Sequence, residues 1–365
     1  MTAGTLASLS NSVFASLGLS GVSDELGIGE SPSGRECIVL IDGMGSQLIA
    51  QYGREFPIFG QSIFEKELSS HFPTTTTVNL TSLATGVLPG IHGMLGYTVR
   101  VPRSGEPGRL LNALKWDERV DPLIWQSVPT LFERASAEGI STSQISAKRY
   151  EGTGFTRAAL RGANYVGANL ISEISDEAAK VLRKEKSFAY VYINHLDVAG
   201  HEDGVGSEKW LLALATVAKL LTELKEKLPP GTRVWVTADH GMVNADEIII
   251  FGKDNDLDKD VTLYGGEPRA RHLYVRDGAA RDVISRYRNY LGTKAEVLSK
   301  DEAISNNLFG NQMSVDSEER IGDIIVIANG GLILVDPERV KEEAGMVGHH
   351  GGLSEVERLI PLLAY

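Results

Sequence analysis

Residues 38–45 read Ile-Val-Leu-Ile-Asp-Gly-Met-Gly: an apolar, mostly β-branched run that ends abruptly in Asp42 and a glycine-flanked turn. A buried parallel strand has this form, with a polar residue at its carboxyl edge. Two later stretches repeat it. Tyr190 to Ile193 precedes Asp197 and His201, and Val234 to Thr237 precedes Asp239 and His240. In open α/β sheets that edge is where ligands bind. Asp42, Asp197, Asp239 and His240 are therefore expected to converge, although nearly two hundred residues separate the first from the last.

Outward from these motifs, strands and helical stretches alternate. Strands are expected near 36–41, 140–146, 188–194 and 233–238, and helices near 77–86, 127–138, 174–185 and 207–228. The alternation predicts an α/β fold with a doubly wound sheet flanked by helices. In the longest helix Trp210, Leu211, Ala213, Leu214, Val217, Leu220, Leu221 and Leu224 fall on one broad face. Residues 1–35 read as a short amphipathic lead-in. Residues 36–246 and 341–365 read as the core, and 247–340 as a small inserted α+β subdomain. The segment 99–125, rich in Pro, Gly and charge, is expected to be a long loop at the edge of the site.

The chain has 365 residues, 42% of them hydrophobic, enough to bury a large core. Its net charge of −12 argues against a nucleic-acid polymer or an anionic membrane as partner, since both need clustered Lys and Arg. Bound cations can still reverse the sign locally and admit a small anionic substrate. The N-terminal stretch has neither a basic n-region nor an apolar run long enough to span a bilayer, so a cytoplasmic location is expected. The single cysteine, Cys37, lies in an apolar strand, is expected to be buried and inert, and excludes an internal disulfide.

Five motifs carry the chemistry: the Asp42 turn, Phe72-Pro-Thr-Thr-Thr-Thr-Val-Asn79, the Asp197-x-x-x-His201 stretch, Asp239-His240, and Gly348-His-His-Gly-Gly352. One Asp at a strand end is commonly a helix cap or turn former. In combination they supply three Asp, three His and one Thr, a set able to hold two metal ions. Oxygen and nitrogen donors without thiolate fit Zn²⁺ or Mn²⁺. The Asp197–His201 spacing, with Gly200 between, suits a loop. The run of threonines opens a helical pattern, so one hydroxyl faces free N–H groups at a helix N-terminus. Of His349 and His350 only one need be a ligand, and His71, His195 and His272 read as structural.

With these motifs in this order, the chain resembles the alkaline phosphatase superfamily from about Cys37 to Gly351. Within it, it is most similar to the nucleotide pyrophosphatase/phosphodiesterase branch and to the related phosphonoacetate hydrolases. The resemblance implies an alkaline-phosphatase-like sheet and two Zn²⁺ ions per chain, Mn²⁺ being the alternative. It also implies a covalent phosphothreonine intermediate. Asp42, Asp239, His240 and the nucleophile would share one ion; Asp197, His201 and His350 would hold the other. Aligning the family's F-P-T-x-T-x-x-N on FPTTTTVN puts the nucleophile at Thr76. The branch's diesterases usually place an asparagine where this chain has Tyr97, and the sulfatase C-x-P-x-R is absent.

The reading that follows is a two-zinc hydrolase of a phosphodiester or pyrophosphate bond of a nucleotide or other small phosphodiester. Phosphonate or phosphomonoester hydrolysis on the same metals is the alternative. A catalytically inactive metal-binding homologue is disfavoured by the presence of Thr76, and a metal-independent mutase would not need the full ligand set. Asn79, Tyr97, Lys148, Arg149 and Tyr150 are the candidate substrate contacts, with Lys115, Arg269 and Arg271 also basic and between core elements. The oligomeric state is left open.

Overall fold

A computed structural model describes residues 4–365; the first three residues of the expected lead-in lie outside the described part. Seven strands make the central sheet: β1 (Arg35–Ile41), β2 (Phe64–Ser69), β3 (Ser141–Ser146), β4 (Asn164–Gly167), β5 (Ser187–Ile193), β6 (Arg233–Thr237) and β7 (Leu359–Ala364). Their spatial order is β2-β7-β6-β1-β5-β3-β4. The strands from β6 through β4 run parallel, and β7 is antiparallel to both of its neighbours. Cys37 to Ile41 of β1 are fully buried, as expected of a parallel strand covered on both faces. The chain is thus an α/β protein whose doubly wound sheet is mixed at one side. Strand β2 carries no legible strand signal. Its Glu65, Lys66 and Glu67 are exposed, and charges of this kind protect an edge strand from pairing with another chain.

β5 and β6 lie on opposite sides of β1, so the chain between them must cross the sheet. It does so through α4 (Glu208–Lys227), which starts where Ser207 accepts a hydrogen bond from the Trp210 N–H at 3.2 Å. Trp210, Leu214, Val217, Leu220, Leu221 and Leu224 of this helix are buried, each contributing roughly 1.5–3 kcal/mol. Leu211, expected on that face, is 37% exposed at its margin. This crossing sets the carboxyl ends of β1, β5 and β6 side by side, the usual ligand position in such sheets.

The expected lead-in includes α1 (Leu6–Ser16), which is part of the core. Leu6, Leu9, Val13 and Phe14 are buried, and the Phe14 ring centroid lies 4.6 Å from that of Phe188. The helix packs on α2 (Thr76–Thr85). Nor is the 99–125 segment a long loop. Thr98–Val101 pairs antiparallel with Arg109–Asn112, and Pro122–Trp125 is a helical turn capped by Asp121. Cross-strand apolar pairs such as Val99 and Leu111 hold the hairpin despite its Pro- and Gly-rich composition. No helix of the described residues is long and apolar enough to cross a membrane.

Val261–Glu267, Ala270–Val275, Ile324–Ala328 and Ala295–Ser299 form a four-stranded antiparallel sheet in that spatial order. It has its own buried cluster around Phe251, Leu273, Tyr287, Val326 and Leu334. Two buried ion pairs tie it to later residues. Arg269 forms a two-pronged pair with Glu357 (2.8 and 2.9 Å), and Arg271 pairs with Glu343. Both arginines are fully buried and held by carboxylates and backbone carbonyls, neither solvated at the surface nor free for a substrate. Cys37 is buried, and burial beside Glu36 pushes its thiol up to about 12.

Candidate active site

Asp42 follows the last residue of β1, and its N–H donates to the Ile193 carbonyl at 3.0 Å, extending the ladder by one residue. Gly43 then turns with φ 77°, its N–H donating to Asp239 Oδ1 at 3.2 Å. A Cβ at this position would lie 3.2 Å from the Asp197 Cα, so both the conformation and the close approach require glycine. Past β6, the turn swings both Asp239 and His240 inward. His240 Nε2 lies 3.4 Å from Asp42 Oδ1 and 3.5 Å from Asp239 Oδ2.

The Asp197–His201 pair sits on a helix, α3 (His195–Asp203), rather than on the expected loop. The four-residue spacing is what places both on one helix face, with Asp197 Oδ1 and His201 Nε2 3.4 Å apart. Gly200, a poor helix former, serves packing here, because a Cβ would collide with the Met242 sulfur. His350 arrives from the far end of the chain, its Nε2 3.9 Å from Asp197 Oδ1. The candidate donors thus gather into two groups, Asp42–Asp239–His240 and Asp197–His201–His350, with the donor atoms of each within 4.8 Å of one another.

The three imidazoles are oriented alike. Nδ1 of His240 faces the Gly241 carbonyl at 3.0 Å, that of His201 the Gly348 carbonyl at 2.8 Å, and that of His350 the Thr74 carbonyl at 2.9 Å. A proton on Nδ1 satisfies each carbonyl and leaves the Nε2 lone pair free, the arrangement of a metal-ligating histidine. His240 and His350 stack with ring centroids 3.7 Å apart. His349 instead turns Nε2 to the Met346 carbonyl at 3.2 Å, which separates the roles of the two adjacent histidines.

Asp42 Oδ1, Asp197 Oδ1 and Asp239 Oδ2 are buried without a hydrogen-bond partner. Burial, reinforced by the charges of Asp197 and Asp239, pushes the Asp42 carboxyl well up; burial raises Asp239 and holds His350 well down. Unpaired buried carboxylates are costly in a protein alone. These orphaned oxygens and the three Nε2 atoms, with no thiolate among the donors, are the oxygen and nitrogen donor sets of candidate metal-binding groups.

The four threonines have four surroundings. Thr74 laces the two motifs: its Oγ1 donates to the Gly352 carbonyl (2.9 Å) and accepts from the Gly351 N–H (3.0 Å), and its own N–H donates to the Gly351 carbonyl (3.3 Å). Thr75 is the N-cap residue of α2, and Thr77 donates to the Gly96 carbonyl at 3.2 Å. Thr76, the first residue of α2, puts Oγ1 3.4 Å from Asp42 Oδ2 and 3.3 Å from His240 Nε2.

A cavity of about 340 Å³ opens from Thr76 between the two donor groups and the segments around Tyr97, Tyr150 and Phe155. Tyr97 and Tyr150 line it; Lys148 and Arg149 do not. Arg149 instead donates to the Tyr150 hydroxyl at 2.9 Å and lies over its ring. Asn79 is no substrate contact: it is fully buried, and its amide donates to the carbonyls of His71, Pro73 and Thr75. Lys115 is exposed and paired with Glu342. Sequence reasoning missed Tyr192, whose hydroxyl donates to Asp42 Oδ2. The period-two placement of Tyr190 and Tyr192 along β5, on the parity that leads to the strand's carboxyl end, was the available signal. It also missed the buried Glu267, which lines the cavity and accepts from the Tyr97 N–H at 3.0 Å.

The family described as type I phosphodiesterase / nucleotide pyrophosphatase matches the chain over residues 37–353. No curated protein sequence matches it significantly. Among solved structures, murine ectonucleotide pyrophosphatase/phosphodiesterase 5 superposes with a TM-score of 0.71 at 16% identity, covering 91% of this chain and 88% of that one. An inactive form of that murine protein was solved in complex with AMP. Phosphonoacetate hydrolase from Sinorhizobium meliloti, in complex with phosphonoformate, superposes with a TM-score of 0.67 at 19% identity, covering 92% of this chain and 90% of that one. At these identities the likeness is one of fold.

Proposed function

Since the chain belongs to the type I phosphodiesterase / nucleotide pyrophosphatase family, we propose that it is a metal-dependent hydrolase of a phosphodiester or pyrophosphate bond in a nucleotide or other small phosphodiester, with Thr76 as nucleophile. One juxtaposition carries this reading: the Thr76 hydroxyl stands at a helix N-terminus, 3.3–3.4 Å from His240 and Asp42. AMP and phosphonoformate in the fold relatives add support for a small phosphate-like ligand.

In this reading Asp42, Asp239 and His240 would hold one zinc or manganese ion and Asp197, His201 and His350 the other. Such ions supply charge neutralisation of phosphoryl oxygens and lower the pKa of the groups they bind. Thr76 Oγ1 forms an O–P bond while the bond from phosphorus to the leaving oxygen breaks; the hydroxyl proton passes to solvent, and the leaving group departs as an oxyanion that takes up a proton from water. Water then hydrolyses the phosphothreonine and regenerates the hydroxyl. The N–H groups of the first turn of α2 point toward the nonbridging oxygens. Tyr192 holds Asp42 in place, and the Nδ1-to-carbonyl bonds fix the three imidazoles. Phosphonate or phosphomonoester hydrolysis on the same site is the second reading, supported by the fold likeness to a phosphonoacetate hydrolase solved with phosphonoformate.

Two further assignments belong to the proposal. Residues 36–246 and 341–365 are taken as the catalytic core and 247–340 as an inserted subdomain, braced to it by the Arg269–Glu357 and Arg271–Glu343 pairs. A cytoplasmic location is assigned with them, and cell fractionation tests it. The decisive experiment is metal analysis coupled to bis(p-nitrophenyl) phosphate hydrolysis, with chelator and zinc add-back. About two ions per chain and chelator-sensitive turnover are expected. Thr76→Ala should keep the metal and lose turnover; a fully active Thr76→Ala protein would remove the nucleophile assignment.

A further inference from the structure

Tyr150, on the cavity wall, carries a hydroxyl whose protein partners both donate to it. Its oxygen accepts from Asn194 Nδ2 at 3.0 Å and from Arg149 Nη2 at 2.9 Å. Amide and guanidinium nitrogens cannot accept, so the phenolic hydrogen is left over, and no acceptor for it lies among the described residues. The hydroxyls of Thr77 and Tyr192, by contrast, donate to the Gly96 carbonyl and to Asp42. The Tyr150 side chain is also held in place. Its ring meets the edge of Tyr192 with centroids 6.1 Å apart, and the hydroxyls of Thr153 and Thr156 donate to its backbone carbonyl at 3.2 and 2.7 Å. Asn194 stands between the end of β5 and the start of α3, the helix of Asp197 and His201, which sets the Tyr150 hydroxyl beside the second donor group. Arg149 is exposed outside the cavity and lies over the Tyr150 ring at 4.9 Å, so its charge reaches the cavity through the phenol.

We propose that Tyr150 is a catalytic residue that donates a hydrogen bond to the oxygen leaving phosphorus, and that Arg149 is a positioning residue that strengthens this donor from outside the cavity. The inference rests on the reading of the donor groups as a phosphoryl site with Thr76 as nucleophile. In an in-line displacement the leaving oxygen faces away from Thr76 Oγ1, into the cavity whose wall carries Tyr150. As the bond from phosphorus to that oxygen breaks, the electron pair stays on the oxygen. The phenol hydrogen-bonds to the growing negative charge and keeps its own proton, and the departing oxyanion then takes up a proton from water. Such a bond strengthens with the charge on the acceptor, so Tyr150 stabilises the transition state more than the bound ester. Two donors on the phenolic oxygen polarise its O–H bond in the same sense, and one of them is a cation. The benefit is largest for poor leaving groups, which carry the most charge on the oxygen as they depart.

The test is a leaving-group series. Zinc-loaded protein is assayed on aryl phosphates, as methyl diesters and as monoesters, whose leaving phenols run from p-nitrophenol to p-cresol, and kcat/KM is compared between the parent and Tyr150→Phe. Phenylalanine keeps the ring against Tyr192 and removes only the hydroxyl. The loss is expected to stay within about threefold for p-nitrophenol and to grow to about 10–100-fold for p-cresol, with zinc content unchanged. Arg149→Met should steepen the series partway, Arg149→Lys should restore part of that loss, and Arg149→Met should add nothing in the Tyr150→Phe background. No loss in Tyr150→Phe, or a loss of the same size for every leaving group, would overturn the role of Tyr150 while leaving the phosphoryl site standing. An undiminished Arg149→Met effect in the Tyr150→Phe background would overturn the role of Arg149. If the parent protein, shown to hold its metal, turns over no member of the series, the phosphoryl reading fails and the role of Tyr150 with it.

Discussion

Replacing Thr74 by valine tests whether the nucleophile segment and the last histidine motif form one unit. Valine has nearly the shape of threonine but no hydroxyl. The change therefore removes the 2.9 Å bond to the Gly352 carbonyl and the 3.0 Å bond from the Gly351 N–H while keeping the packing. Both backbone groups are in buried residues, so each is left unpaired at roughly 1–3 kcal/mol, about 2–6 kcal/mol together. The bonds through the Thr74 backbone, including the one from His350 Nδ1, remain, so the segment should loosen without detaching. Because the Thr74 carbonyl that faces His350 is kept but its segment loosens, zinc affinity should fall by less than the loss of about 10–100-fold typical of removing such an outer-sphere partner outright. The assay is zinc affinity by chelator competition, read beside urea unfolding of the same samples. Thr74→Ser keeps the hydroxyl and loses only a methyl group, and is expected to stay within about 1 kcal/mol of the parent in stability. Wild-type zinc affinity and stability in Thr74→Val would refute the reasoning. So would a Thr74→Ser protein as impaired as Thr74→Val, because the methyl group would then be the important part.

Three other predictions follow from the geometry. His350→Ala removes an Nε2 donor and should lower metal content by about one ion per chain, whereas His349→Ala should retain it; the reverse pattern in metal analysis would exchange their roles. Arg269→Met leaves the Glu357 carboxylate buried and unpaired and should cost about 3–5 kcal/mol in urea unfolding, part of which Arg269→Met/Glu357→Leu should restore. A double variant no more stable than the single one would show that the charge pair is not the source. Burial pushes the Glu267 carboxyl up to about 8 from an ordinary 4.5, so the folded state binds more protons than the unfolded state across that window. Stability therefore falls as pH rises through it, and Glu267→Gln should flatten the decline in melting temperature between about pH 5 and about pH 9. An unchanged slope would move the effect to another group.

Much of the fold was legible because its determinants are local. An apolar run followed within a few residues by an aspartate is a local signal, and β1, β5 and β6 each carry it, with Asp42, Asp197 and Asp239. The edge strand β2 was not legible, since its apolar alternation is overwritten by Glu65, Lys66 and Glu67, charges tolerated only because one side of the strand is open. The expected loop at 99–125 failed for a related reason: Pro and Gly punctuate a hairpin as readily as a loop, and the cross-strand pairing that decides between them is not local.

At the site, the sequence by itself determined the residue types and the order in which they come to the sheet edge. Tertiary structure alone decided their orientation. The choice between His349 and His350 depends on which Nδ1 finds a carbonyl, and that carbonyl belongs to Thr74, 276 residues away. The four threonines are chemically identical, and only the family motif singles out Thr76 in the sequence; physically they differ because α2 starts at Thr76 and Thr74, Thr76 and Thr77 turn their hydroxyls toward different partners. Arg269 and Arg271 read only as basic residues between core elements until their partners Glu357 and Glu343 are in place, because a charge is inert or available according to what lies across from it. Strand ends are written in short stretches of chain, whereas the direction of a lone pair is set by neighbours that the chain brings together only on folding.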